Sequence, residues 1–156
     1  RQMCIRDRST AVYKGEQEDA SGKVIRKMVE EAGLDVVFMK ALPTDKTVLS
    51  TVFQRMADGN LADLILTTGG AGCGPEDCTP EATMEVVDRP LLGIPEGMRT
   101  HMLTLTKRAM LNRAAAGIRG KVVIVNLPGK AGAVKECLGY ILPEVMHAVE
   151  VAQGIK

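Results

Sequence analysis

The chain lacks an excess of charge of either sign: 20 Lys and Arg stand against 19 Asp and Glu in 156 residues. A surface so balanced offers no broad field to draw in a nucleic-acid backbone or an anionic membrane, although a few local groups can still hold a compact anion. It also lacks any apolar run near the roughly 18 residues that a membrane-spanning helix needs, which predicts a soluble protein. The cysteines at 4, 73, 78 and 137 show no CxxC spacing and no neighbouring histidine. They fit neither a zinc site nor a disulfide scaffold and read as reduced cytoplasmic thiols. His101 and His147 fall in helical patterns without a catalytic partner in sequence, so packing or surface roles are expected of them.

The beginning is also poor in expected features. RQMCIRDR has no initiating Met and no apolar signal core, and carries three arginines where a buried first strand is expected. We expect residues 1–8 to be an anomalous, foreign or truncated segment that either substitutes poorly for a native first strand or leaves an edge, and residues 9–156 to form one domain. That length suits a single core.

What is present alternates. Val24, Ile25, Met28, Val29 and Ala32 repeat at helical spacing up to Gly33, and LDVVFMKAL then reads as a strand. Val48, Leu49, Val52, Phe53 and Met56 repeat the helix, and LADLILTT the strand. Thr79-Pro80 is a helix start, with a helix expected over about 79–87, because a hydroxyl can accept an orphan amide and proline loses nothing at the first helical position. Ile94, Met98 and Met102 mark another helix, and KVVIVNL is a strand buried on both faces. A last amphipathic stretch from Val134 is expected to be interrupted by Pro143 and to resume over 145–151, and the methionines mostly fall at core spacings. The pattern predicts an α/β fold, a three-layer α/β/α sandwich around a largely parallel sheet.

In such sheets, ligands lie beyond the carboxyl ends of the strands, which places two loops there: TTGGAGCGPED after the strand ending near residue 66, and NLPGK after 121–127. Gly69, Gly70, Gly72 and Gly74 fall within six positions. Bare backbone ahead of a helix N-terminus can cradle a phosphate, and it can equally be a tight structural connection. Neither a Walker loop nor a Rossmann fingerprint is present, since Pro75-Glu76 follows Gly74. Asp77 has two readings as well: it favours the positive end of the next helix, or it holds Mg2+ beside a phosphate. Asn126 can cap local backbone at a strand end, and Pro128-Gly129 can be a plain turn.

TTGGAGCGPEDCTPEAT, EGMR at 96–99, AGIRGKVVIVNLPG at 116–129 and KECLGYILPEVMHAVE at 135–150 together resemble the MoaB/Mog domain of molybdenum cofactor biosynthesis. The likeness reaches back through STAVYKGEQEDASG at 9–22. It implies a cytoplasmic α/β domain, usually a homotrimer, that binds molybdopterin, a pterin dithiolene with a terminal phosphate, and in the Mog branch adenylylates that phosphate with Mg-ATP, releasing pyrophosphate. No nucleic acid or membrane is implied. It implies catalytic roles for Asp77 and Asp45, with Asp77 holding Mg2+. It places Thr68, Gly69, Gly70, Gly72, Asn126, Pro128, Gly129 and Lys130 around the substrates.

The chain departs from the family at several of these places. Thr44 stands where an acidic, metal-linked residue is usual, with Asp45 one position later; Ala71 replaces a threonine; Asn112 replaces the serine of a Leu-Ser-Arg motif, here Leu111-Asn112-Arg113; and Lys130 replaces a serine. Two functions follow: a molybdopterin adenylyltransferase, or a MoaB-like protein that holds molybdopterin without efficient transfer.

Overall fold

Period-two burial in the two most apolar runs decides the architecture. β3 (Leu64–Thr68) and β6 (Val122–Leu127) are buried at every residue and pair in parallel. Leu64, Leu66, Val123 and Val125 turn to one face, where they meet α1 (Ala20–Glu31) through Ile25 and Val29, and α5 (Ala131–Ala152) through Val134, Leu138 and Ile141. Ile65, Val122 and Ile124 turn to the other face, against Leu49 and Phe53 of α2 (Lys46–Asp58) and Ala82 and Val86 of α3 (Thr79–Val86). Both faces of the sheet are therefore covered, as continuous apolar strands require. Phe53 is fully buried, and a side chain of that kind contributes about 1.5–3 kcal/mol by leaving water.

A computed structural model describes the backbone of residues 2–7 and residues 20–155 in full. Its sheet runs β2-β1-β3-β6-β5-β4, with β1 (Gln2–Asp7) and β2 (Asp35–Ala41) on the parallel side, and β4 (Arg89–Pro90) and β5 (Ala116–Arg119) antiparallel at the other edge. The expected three-layer sandwich is present, and its sheet is mixed. α4 (Gly93–Leu103) and a 3-10 helix (Lys107–Leu111) complete the elements.

Two expectations need correction. β1 pairs with β2 on one side and β3 on the other, so residues 2–7 fill a strand position and leave no edge there. The part of the family likeness that falls on residues 9–19 lies outside the described residues. Helix α5 continues through Pro143. Proline withdraws the amide owed to the Gly139 carbonyl, but both residues are solvent-exposed while Ile141, Leu142 and Val145 stay packed in the core. Water can meet that carbonyl and burial holds the helix together. The methionines fall mostly in the core as expected: Met56 and Met98 are buried and Met28, Met39, Met102 and Met146 pack against the core, whereas Met84 and Met110 are exposed.

Candidate functional site

The loop after β3 and the loop after β6 lie side by side at the carboxyl end of the sheet. Gly69 and Gly70 take φ of +84° and +69°, a region that side chains rarely enter. Thr68 donates its hydroxyl to the Pro128 carbonyl, and the Gly69 amide donates to Leu127 O at 3.3 Å. Thr79 turns back on the loop, its hydroxyl donating to Gly69 O at 3.0 Å and its amide to Gly70 O at 3.1 Å.

The other two glycines answer to Asp77. Its Oδ2 accepts the Gly74 amide at 2.9 Å, and a β-carbon on Gly72 or Gly74 would lie 2.9 or 3.0 Å from that same oxygen. Half of the glycine excess therefore seats a carboxylate, and half bends the backbone. The amides of Gly70, Ala71 and Gly72 have no partner among the described residues.

Those residues form one wall of a cleft of about 510 Å³. Pro128, Gly129 and Lys130 form the second wall, and Met102, Arg108 and Asn112, from the end of α4 and the 3-10 helix, the third. Among the described residues, no Asp or Glu lines it. The Arg108 guanidinium and the Lys130 ammonium have no partner among the described residues. Lys130 also stands at the start of the 22-residue helix α5 and makes no capping bond there. Two free cations, three free amides and an apolar floor suit a ligand with an anionic end and a flat apolar body.

The expected site residues therefore separate. Gly69, Gly70, Gly72, Pro128, Gly129 and Lys130 come together at the cleft. Thr68 and Asn126 are 0% exposed and do not line it. Asn126 is a bolt beneath it: its Oδ1 accepts the Ala115 amide at 3.0 Å, and its Nδ2 donates to Thr67 Oγ1 at 3.0 Å and Thr83 Oγ1 at 2.9 Å. The sheet's alternation explains this, because Asn126 faces the same side as Ile124. Asp77 lies behind the glycine loop, with one carboxylate oxygen unpartnered among the described residues. Asp45 is exposed, caps α2 by accepting the Val48 amide at 3.0 Å, and shares a neighbouring cleft of about 630 Å³ with Thr44, Glu76 and Cys78. Asp77 itself lines neither cleft, although its neighbours Glu76 and Cys78 line the one that holds Asp45.

Sequence reasoning missed Arg108 as a lining residue and took Arg113 only as part of a motif. Arg113 donates to Gly72 O at 2.6 Å and Asp77 O at 3.0 Å and pairs with Glu81. The Glu81 hydrogen bond, opposed in part by desolvation, raises the Arg113 pKa above the usual guanidinium value. No group of three or more His, Cys, Asp and Glu converges among the described residues. His101 stacks on Tyr140 with ring centroids 4.4 Å apart, away from the cleft. Cys73, Cys78 and Cys137 form no disulfide among the described residues, and burial pushes the Cys137 thiol up to about 11.

An α/β domain with a positively lined cleft at the carboxyl ends of parallel strands is thereby defined. A family model described as a probable molybdopterin binding domain matches residues 8–147. A molybdopterin adenylyltransferase of Helicobacter pylori is 36% identical over 148 residues, spanning 94% of this chain and 84% of that protein. The crystal structure of the molybdopterin biosynthesis enzyme MoaB from Thermus thermophilus superposes with a TM-score of 0.92 at 36% identity, covering 98% of this chain and 96% of that one. The tungsten cofactor synthesizing protein MoaB from Pyrococcus furiosus gives 0.85 at 34% identity, covering 97% and 96%. The chain belongs to the molybdopterin-binding domain family. Among the described residues, no helix is long and apolar enough to cross a membrane.

Proposed function

We propose that the protein transfers the adenylyl group of ATP to the terminal phosphate of molybdopterin. The observation that carries this reading is the cleft in which, among the described residues, the amides of Gly70, Ala71 and Gly72 are unpartnered, Arg108 and Lys130 bring unpaired positive charge, and no carboxylate opposes them. The 36% identity to an adenylyltransferase over most of both chains supports it.

A phosphate oxygen of molybdopterin attacks the α-phosphorus of ATP, the bond from that phosphorus to the bridging oxygen breaks, and pyrophosphate leaves with the electron pair. No protein nucleophile is needed. The chain supplies orientation and pre-set positive charge for two polyanions that would otherwise repel. Met102 gives the pterin end an apolar surface, and Lys130 and Arg108 hold the phosphate end.

Bound Mg2+ would neutralise phosphate charge during transfer. Asp77 is the residue suited to hold it, because its second oxygen is unpartnered and Mg2+ takes one or two carboxylates while sharing phosphate oxygens and keeping waters. Asp45 also keeps one oxygen clear of the Val48 amide, but it lines the second cleft and not the one that holds Lys130 and Arg108. In the same reading the protein acts in the cytoplasm as a homotrimer, without nucleic acid or membrane; exposed Leu92, Met110 and Tyr140 provide apolar surface for self-association, which light scattering tests.

The test is release of pyrophosphate from Mg-ATP by the purified protein with molybdopterin. Turnover that requires all three components is expected. Molybdopterin binding with no pyrophosphate above background would overturn the transfer step.

A further inference from the structure

The geometry points to Arg113 as a positioning residue for adenylyl transfer, holding the glycine loop and Asp77 at a fixed distance from the opposite wall of the cleft; this rests on the function proposed above. The loop over 72–77 is wired mainly to itself, through the Asp77 amide to Gly74 O at 3.0 Å and the Gly74 amide to Asp77 Oδ2 at 2.9 Å. Among the described residues, its hydrogen bonds to the rest of the molecule come from two side chains. Cys73 donates weakly to Leu111 O at 3.5 Å. Arg113 donates Nε to Gly72 O and Nη2 to Asp77 O, reaching both ends of the loop at once.

Both ends matter to the reaction. Gly72 lines the cleft, and Asp77 carries the oxygen assigned to the metal. The third arm of the fork, Nη1, pairs with Glu81 in the first turn of α3, which fixes the plane of the guanidinium. The arginine is itself anchored. Its amide donates to Ala71 O at 2.8 Å, Arg99 donates to Ala114 O at 3.2 Å, and the Ala114 amide donates to Asn112 Oδ1 at 2.7 Å. One planar cation therefore joins the glycine loop, helix α3 and the segment after the 3-10 helix.

Only a guanidinium can do this, because three acceptors lie around a single plane and an ammonium cannot reach them all. Without it, the loop must be ordered anew in each productive complex. The loss should fall on kcat, where the aim of Asp77 counts, more than on molybdopterin affinity, which Lys130 and Arg108 carry from other walls.

The experiment compares wild type, R113A, R113K and E81Q for pyrophosphate release at saturating and limiting Mg2+, for molybdopterin Kd, for Tm, and for amide hydrogen exchange over 69–79. A wild type that binds molybdopterin but releases no pyrophosphate would sink the functional reading, while hydrogen exchange and Mg2+-dependent protection would still test the clamp. For R113A we expect kcat to fall about 10²-fold, the scale of a small misplacement of reacting groups, with Kd changed by less than about threefold. Exchange should rise over 72–77 and stay unchanged in β3 and β6. R113K should remain near R113A, E81Q should keep most of the rate, and millimolar guanidinium should restore part of the R113A rate. Unchanged loop protection in R113A would overturn the clamp, as would a rate that falls only in proportion to a global loss of folded protein.

Discussion

Gly129 and Gly69 belong to different strand-end loops, yet a β-carbon on Gly129 would lie 3.3 Å from the Gly69 α-carbon. Gly69 cannot step aside easily, because its φ of +84° and its amide bond to Leu127 O fix it. G129A should therefore spread the two walls of the cleft. We expect a loss of about 1–3 kcal/mol in stability, the usual cost of overpacking, together with weaker molybdopterin binding. Urea unfolding and a binding titration check this; a variant equal to wild type in both would mean that the loops slide freely.

Asn126 should matter to folding and little to affinity. Replacing it by Ala leaves the half-buried Ala115 amide without its acceptor and removes the donor to two threonine hydroxyls in the interior. A buried group left without a partner costs about 1–3 kcal/mol, so N126A should lose roughly that much, which chemical denaturation reads directly. Protein that remains folded should bind molybdopterin within about threefold of wild type, since the residue does not reach the cleft. A large affinity loss with normal stability would return Asn126 to the substrate site.

These cases show which parts of the molecule were legible in the sequence. α1 and α2 follow from helical spacing, α3 from its Thr79-Pro80 start, and β3 and β6 from uninterrupted apolar runs, because each of those signals is local and strong. β4 and β5 escaped notice: they are two and four residues long, and β5 begins Ala116-Gly117, which has almost no strand signature. Pro143 misled because local propensity favours a break where core contacts on both sides outweigh it. In the site, the glycine loop was visible as a composition anomaly. Arg113 was not, since its contact with Gly72 spans 41 positions and nothing near either residue announces it. The family likeness put Asn126 with the substrates, whereas its other reading, capping backbone at a strand end, is the one its bond from the Ala115 amide matches.

Arg108 and Lys130 approach the cleft from separate elements without carboxylate partners, so their contributions to anion binding should be largely independent. A hydrogen bond to a charged group contributes about 1.5–3 kcal/mol, so R108A and K130A should each weaken molybdopterin binding by roughly tenfold or more. Each should also flatten the dependence of affinity on salt. Titrations at two ionic strengths decide; an unchanged salt dependence in K130A would leave Lys130 as a solvated surface residue.

Acid should weaken the contact between α2 and the β5–β6 hairpin. Arg119 donates to both oxygens of Asp58, at 2.8 and 3.0 Å, and that hydrogen bonding holds the Asp58 carboxyl below its ordinary value of 3.8 despite some desolvation. A depressed folded-state value means that the contribution is fully present above the unfolded carboxylate's range and is lost as pH falls through the lower, folded value. Wild type should therefore exceed D58N in stability at pH 7, and the two should converge below about pH 3.8. Denaturation series across that range test the sign, and a difference that grows in acid would contradict it.

Asp77 serves two masters, the loop and the metal, and an amide in its place separates them. In D77N the remaining carbonyl oxygen can still accept the Gly74 amide, so the seat beneath Gly72 and Gly74 stays filled. What disappears is the charge on the unpartnered oxygen. D77N should thus fold within about 0.5 kcal/mol of wild type, whereas kcat should fall about 10²- to 10³-fold, the range for removing one charge-stabilising group. Molybdopterin Kd should barely move, because Asp77 does not line the cleft. D77A should lose the same rate and, in addition, the protection of the Gly74 amide against hydrogen exchange. If D77N kept the wild-type rate while D77A lost it, the carboxylate would be a loop residue alone, and the magnesium would have to be held elsewhere.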